Sequence, residues 1–357
     1  MTARRSPALP LLWAGLATIV AGAAMSLQGR ANGILGPVLG HAVFAALLSF
    51  ATGLLLVGGA LLLSARSRAA AVRLFSLVRT GALPRWMLLG GCSGALVVIA
   101  QATTVPVMGI AMFTMAFVSG QVTGGLCVDA THLPPGGRQR LTFFRILGVL
   151  VVLAALTLGA WERLVLGVPL WAPLLPFASG ALTALQQACN GRIRAATGSA
   201  VVATAVNFAV GFLLLLALTG VLLASGVRWT GFPGPGQWWI LLGGVLGVVF
   251  IAFTSLTVRR LGVLLLTLFS LFGNLAGALL LDLAVPLPGS LVSTTTVLSA
   301  ALVLAGIAVT LMPAAGSLRG RGSRTRGPRR GPSRRRRGTS RGSRGRRSAA
   351  GARTRSR

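Results

Sequence analysis

SLQGRANGILGPVLGHAVFAALLSFATGLLL, residues 26–56, returns in altered form as ALQQACNGRIRAATGSAVVATAVNFAVGFLLL, residues 184–215. Aligned 158 positions apart, Gln28 meets Gln186, Asn32-Gly33 meets Asn190-Gly191, Gly40 meets Gly198, Phe50 meets Phe208 and Gly53 meets Gly211. A second block follows in the same order, 153 positions apart. Here Trp86, Gly90, Gly91, Gly94, Gly109, Gly120, Gly124 and Asp129 meet Trp239, Gly243, Gly244, Gly247, Gly262, Gly273, Gly277 and Asp282. Shared hydrophobicity does not keep Gly, Asn, Trp and Asp in register over such a distance. A duplication with a short loop indel does.

Working outward from the repeat, apolar runs long enough to cross a bilayer lie at 9–28, 37–63, 86–106, 108–128, 142–160, 169–189, 199–224, 238–258, 262–281 and 291–312. The alternating pattern of a membrane barrel is absent, and backbone groups in lipid must be satisfied internally, so these runs predict helices. The expected fold is an all-α membrane protein of about ten transmembrane helices, arranged as two inverted five-helix repeats. The repeats are expected at 1–163 and 164–316, with an Arg/Gly/Ser-rich tail at 317–357. Five crossings are an odd number, so the second copy enters the membrane upside down. The first run follows Arg4 and Arg5 and is read as a span rather than a cleaved signal peptide.

Arginine placement sets the expected orientation. With the N-terminus in the cytoplasm, Arg4, Arg5, Arg66, Arg68, Arg73, Arg79, Arg85, Arg138, Arg140, Arg145, Arg192, Arg194, Arg259, Arg260 and the whole tail fall inside, against Arg30, Arg163 and Arg228 outside. The reading is a multi-pass plasma-membrane protein with both termini cytoplasmic.

Composition narrows the chemistry. The chain of 357 residues is 54% hydrophobic and 10% charged, with a mean hydropathy of +0.81, whereas soluble domains carry about 25% charge. Its 34 basic residues are all Arg, and its acids are Asp129, Glu162 and Asp282. Without Lys there is no Walker A lysine for ATP-driven pumping. Two His and three acids leave little for triad or paired-carboxylate catalysis. No enzyme, cofactor or metal site is expected. Cys92, Cys127 and Cys189 lie in separate apolar segments and read as small core residues.

The stretch from Asn32-Gly33 to Gly53, the Trp86-x3-Gly90-Gly91-x2-Gly94 run and Gly120-Gln121-x7-Asp129 resemble the YdcZ-type branch of the drug/metabolite transporter superfamily. The C-terminal copy keeps the frame with Asn274 in place of Gln121, and the resemblance covers about 9–312. The double-length chain looks like a fusion of two single-unit members. The resemblance implies an inner-membrane carrier. A related small multidrug-exporter pattern places a Glu in its first span. Here neither the first nor the sixth span carries an acid.

Polar residues in mid-membrane are costly unless they face protein or a water cavity. Several stand at repeat-equivalent positions: Ser49 with Asn207, Gln101 with Thr254, Thr104 with Thr257, Thr114 with Thr267, and Gln121 with Asn274. Ser49, Gln101, Gln121, Asn207, Thr267 and Asn274 are the expected substrate-binding residues. Interhelical hydrogen-bond glue is the competing reading. Gly120-x3-Gly124 and Gly273-x3-Gly277 are small-xxx-small pairs expected to bring spans four and nine together. Asp129 and Asp282 are expected at span ends, each beside an Arg. Glu162 reads as a solvated loop residue, His41 as a structural hydrogen bonder, and His132 near Asp129 as too few ligands for a metal.

The tail carries 17 Arg with Gly, Ser and Pro and cannot bury enough to fold. It suits anionic lipid better than nucleic acid. The expected partners are therefore a small-molecule substrate, the lipid bilayer, anionic lipid for the tail, and optionally a second copy as a homodimer. The function expected is a secondary, non-ATP transporter of a small metabolite or drug, working by alternating access between inverted repeats. The alternative is a structural or channel-like bundle.

Overall fold

The computed structural model describes residues 8–287, 290 and 292–312, apart from the side chains at 8–11, 252, 254–256, 258–260 and 262–265. The expected tail at 317–357 lies outside the described residues. Among them every regular element is helical: α1 (Ala8–Leu39), α2 (Ala42–Leu63), α3 (Ala65–Arg79), α4 (Gly90–Asp129), α5 (Phe143–Val165), α6 (Trp171–Thr197), α7 (Ala200–Ala224), α8 (Gly243–Ala284) and α9 (Thr294–Thr310). Among the described residues, six stretches are long and apolar enough to cross a membrane: Leu12–Leu39, Ala42–Leu63, Arg85–Asp129, Phe143–Val165, Ala200–Ala224 and Leu266–Ala284. The chain is an all-α membrane protein.

Arg85–Asp129 runs 45 residues, about twice what one crossing needs. The excess is resolved at Gly109, whose φ of 79° and ψ of 164° break the helix three residues after Pro106. A side chain disfavours that positive φ, and glycine tolerates it. The helix doubles back there, because Leu83, Met87 and Leu133, from beyond its two ends, share one cluster with Ile193. The expected division between 86–106 and 108–128 falls at this bend. α8 also doubles back, since Gly247 packs on Gln28 and Gly277 on Ala23, both on α1.

Two boundaries differ from the sequence reading. The expected loop at 29–36 is helical, and α1 continues to Leu39. Arg30 and Asn32 made that stretch look like a loop, yet they are buried, at 1% and 0% exposure, and paired inside the protein. Likewise α6 continues beyond 189 to Thr197 and ends on the left-handed Gly198. The arginine-dense segment after span two is also not a plain loop. It holds α3, an amphipathic helix capped by Ser64, with Ala70 and Leu74 buried and Val72 and Phe75 exposed.

The repeats interlock. α1 packs mainly on α8 and α6 on α4, while α2 pairs with α7 and α5 with α9. A Cβ at Gly22 would overlap the Ser270 carbonyl oxygen and approach the Asn274 nitrogen. A Cβ at Gly180, the repeat mate, would overlap the Phe117 carbonyl oxygen and approach the Gln121 nitrogen. Gly53 takes the Phe208 ring just as Gly211 takes the Phe50 ring. Such backbone approach is how helices associate in lipid, where no hydrophobic driving force operates between them.

This geometry corrects the expected role of the glycine pairs. Gly120 and Gly124 lie against Phe177 and Ala181 of α6, and Gly273 and Gly277 against Ile19 and Ala23 of α1. They join span four to span six and span nine to span one, rather than joining four to nine. Helical periodicity puts the glycines on one face but does not say which helix that face meets.

Candidate functional site

The loops divide between two faces. One face carries α3, the 130–142 loop and the end of α6, where the Arg192 guanidinium donates to the Leu133 carbonyl at 2.7 Å. The other carries the Gly109 bend, the end of α8 and the segment at 225–235, where the Thr230 backbone N–H bonds the Leu39 carbonyl. Arg66, Arg68, Arg73, Arg79, Arg138, Arg140 and Arg192 are all on the first, arginine-rich face.

A cavity of about 1160 Å³ opens on that face between the two halves. Its walls include three repeat-equivalent pairs: Met25 with Thr183, Phe117 with Ser270, and Gln121 with Asn274. Because helix α1 belongs with α8 and α6 with α4, each half contributes the same positions, and the cavity sits on the pseudo-two-fold relation. Asp129, Arg138, Arg140 and Arg145 line its mouth, and Arg145 pairs with Asp129 there. Deeper in, the polar groups are neutral: Gln121, Thr183, Gln187, Thr267, Ser270 and Asn274. The Asn274 amide oxygen accepts from the Ser26 hydroxyl at 2.8 Å, which fixes its orientation against α1.

Of the expected binding residues, Gln121, Thr267 and Asn274 line this cavity, and the other three lie elsewhere. Ser49 and Gln101 belong to a closed network. The Ser49 hydroxyl donates to Asn32 Oδ1 at 2.6 Å, and the Asn32 amide donates to Gln101 Oε1 at 2.8 Å. All three are buried, so they tie α1, α2 and α4 together. Asn207 lies against Gly90 on the opposite half, where its Oδ1 is buried without a hydrogen-bond partner. Thr114 is buried, unlike its mate Thr267. The Thr104 hydroxyl donates to the Ala100 carbonyl, and the Thr18 hydroxyl to Thr257 Oγ1. The Thr254 side chain lies outside the described residues.

Several lining residues escaped the sequence reading. Met25 and Thr183 are mates of unlike polarity, and Phe117 is the apolar mate of Ser270, so a search for matched polar residues passes over Met25, Thr183 and Phe117. Glu162 is not a loop residue either. It stands in the last turns of α5 and accepts from the Ser293 hydroxyl at 2.7 Å. His41 caps α2, its Nδ1 accepting from the Val43 N–H. Of the cysteines, Cys189 is buried but Cys127 is exposed, contrary to its reading as core.

Asp282 lies at the far side of the core from the mouth. Its side chain is fully buried and pairs with Arg30 Nη1 at 3.2 Å. Its two oxygens accept the Ile110 N–H at 3.2 Å and the Ala111 N–H at 2.8 Å. These are the first amides after the Gly109 break, which the interrupted helix leaves without intrahelical partners. A carboxylate at a helix N-terminus is favoured by hydrogen bonding and by the helix dipole. Arg163, also buried, interacts electrostatically with Asp282.

The family described as "Putative inner membrane exporter, YdcZ" matches residues 13–158 and again 171–309. No curated protein matches the chain. A solved crystal structure superposes with a TM-score of 0.51 at 17% identity, covering 86% of this chain and 98% of the other, which shows likeness of fold.

Proposed function

The chain belongs to the YdcZ branch of the drug/metabolite transporters, and from that premise we propose that it is a secondary exporter. It carries a small neutral or zwitterionic solute by alternating access through the cavity between its halves. The chain is a membrane transporter by family; the solute class and the cycle are our reading. The observation that carries it is the cavity wall itself, in which Gln121 and Asn274, equivalent residues of the two copies, face one space. In an inverted-repeat carrier the site lies at the repeat interface, where rocking exposes it to either side.

The arginine-rich face is the cytoplasmic one in this reading, which places the open mouth inside, as loading of an exporter requires. Ten crossings then leave both ends in the cytoplasm. Amides, hydroxyls and apolar groups line the deep wall. The one lining carboxylate, Asp129, is already paired with Arg145. A bare cation finds no free counter-charge there, whereas a neutral or internally compensated solute needs none.

The test is untargeted comparison of solutes inside and outside cells that carry or lack the gene, followed by sided flux in proteoliposomes with whatever solute responds. Saturable flux of one neutral or zwitterionic solute supports the reading. Flux that rises linearly with concentration, or preferential transport of a permanent cation, contradicts it.

A further inference from the structure

Asp282 ties three elements together on the face opposite the cavity mouth. It ends α8, pairs with Arg30 of α1 and caps the bend of α4 through Ile110 and Ala111. Nothing in the cavity uses it. Its repeat mate is Asp129, and the mates of Gly109, Ile110 and Ala111 are Gly262, Val263 and Leu264. The two halves therefore carry the same parts in sequence: each long helix, α4 and α8, has a glycine near its middle and a carboxylate at or near its end.

The two carboxylates are in different situations. Asp282 is sealed, with a side-chain exposure of 0%, on the face opposite the cavity mouth. Asp129 is 33% exposed beside Arg145 at the mouth of the cavity. The engaged carboxylate lies on the face away from the mouth and the solvent-exposed one at the mouth. In a carrier built of inverted repeats, the second conformation is approached by exchanging the conformations of the two copies.

We propose that Asp282 and Asp129 are alternating latches of the transport cycle. Asp282 holds the outer face shut in the conformation seen. In the opposite conformation Asp282 is released, and Asp129 moves from the mouth to seal the inner face against the sequence mates of Ile110 and Ala111. Arg30 holds the outer latch in place, and Arg145 holds the inner carboxylate at the mouth. This inference rests on the alternating-access reading but names its own residues. It makes a prediction that a static bundle does not: neutralising the two mates must move the equilibrium in opposite directions.

The experiment uses the full-length chain in membranes, with Cys92, Cys127 and Cys189 replaced by Ala and one reporter introduced as Thr114→Cys. Position 114 is buried and lies one turn beyond the amides held by Asp282. The measurement is the rate of its reaction with a membrane-impermeant maleimide added from outside. Asp282→Asn and Arg30→Gln each raise that rate several-fold. Asp129→Asn lowers it below the parental rate, and the Asp129→Asn/Asp282→Asn pair returns towards it. An unchanged rate in an Asp282→Asn protein that elutes and melts like the parent overturns the proposal. So does Asp129→Asn shifting the rate in the same direction as Asp282→Asn. Should Asp282→Asn fail to fold, Asp129→Asn alone decides, since its carboxylate is at the solvent-exposed mouth; an unchanged or faster rate then rejects the latch. The labelling needs no solute, so opposed shifts without detectable flux uphold the latch and count against the exporter reading alone.

Discussion

Gly120 of α4 lies directly against the carbonyl oxygen of Phe177 on α6, closer than any Cβ would permit. The mate contact, Gly273 on Ile19, has the same geometry. Gly120→Leu and Gly273→Leu should therefore each separate a cross-repeat helix pair. Overpacking of this kind costs about 1–3 kcal/mol or more. The melting temperature in detergent is expected to fall for both variants. Gly58→Leu, at a position with no neighbouring atom within 4 Å, is expected to leave it nearly unchanged.

The Ser49–Asn32–Gln101 network is predicted to govern stability and not solute affinity. Asn32→Leu leaves the Ser49 hydroxyl and the Gln101 carbonyl buried and unpaired, each at a cost of about 1–3 kcal/mol. Thermal melting should register the loss, and Ser49→Ala, which strands a single acceptor, should lose less. A solute affinity that drops in Ser49→Ala while melting stays put would place Ser49 on the transport path after all.

Gln121 and Asn274 are predicted to act the other way. Gln121→Ala and Asn274→Ala should weaken solute affinity several-fold, the equivalent of ~1 kcal/mol for one neutral hydrogen bond, while expression and melting remain near the parent's. Because the two mates exchange surroundings between the two conformations, sided flux should show the larger loss on different faces of the membrane in the two variants. Equal, wild-type affinity on both faces would leave these amides as packing groups.

Topology is checked with single cysteines at positions 75, 138, 165 and 230 in a background without native thiols. The arginine asymmetry predicts cytoplasmic reaction at 75 and 138 and external reaction at 165 and 230. The reverse pattern would invert the export direction argued from the open mouth.

Much of the architecture was legible because glycine cannot drift where helices touch backbone to backbone. The matched Gly90, Gly91, Gly94, Gly120 and Gly124 mark contacts that recur at Gly243, Gly244, Gly247, Gly273 and Gly277. What the pattern does not carry is the identity of the partner. Gly120 and Gly273 sit at equivalent depths, which invited pairing them, yet each meets the first helix of the other copy. Polarity misled at 29–36 for a related reason. Arg30 and Asn32 read as loop residues because their partners, Asp282 and Gln101, are 252 and 69 positions away. The cavity was legible where polar residues share one helix face, as at Gln121, Thr267, Ser270 and Asn274. It was not legible at walls such as Met25 and Phe117, whose apolar side chains are indistinguishable in sequence from lipid-facing ones.

The central claim is that the space between the halves is reached from the two sides in turn. The most direct test places a single cysteine by Gln121→Cys in the thiol-free background and measures its reaction with an impermeant thiol reagent applied to one side at a time. The account predicts fast reaction from the cytoplasm, slower but measurable reaction from outside, and a membrane that stays impermeable to ions throughout. Reaction from neither side, or reaction from both sides accompanied by an ion leak, would contradict it.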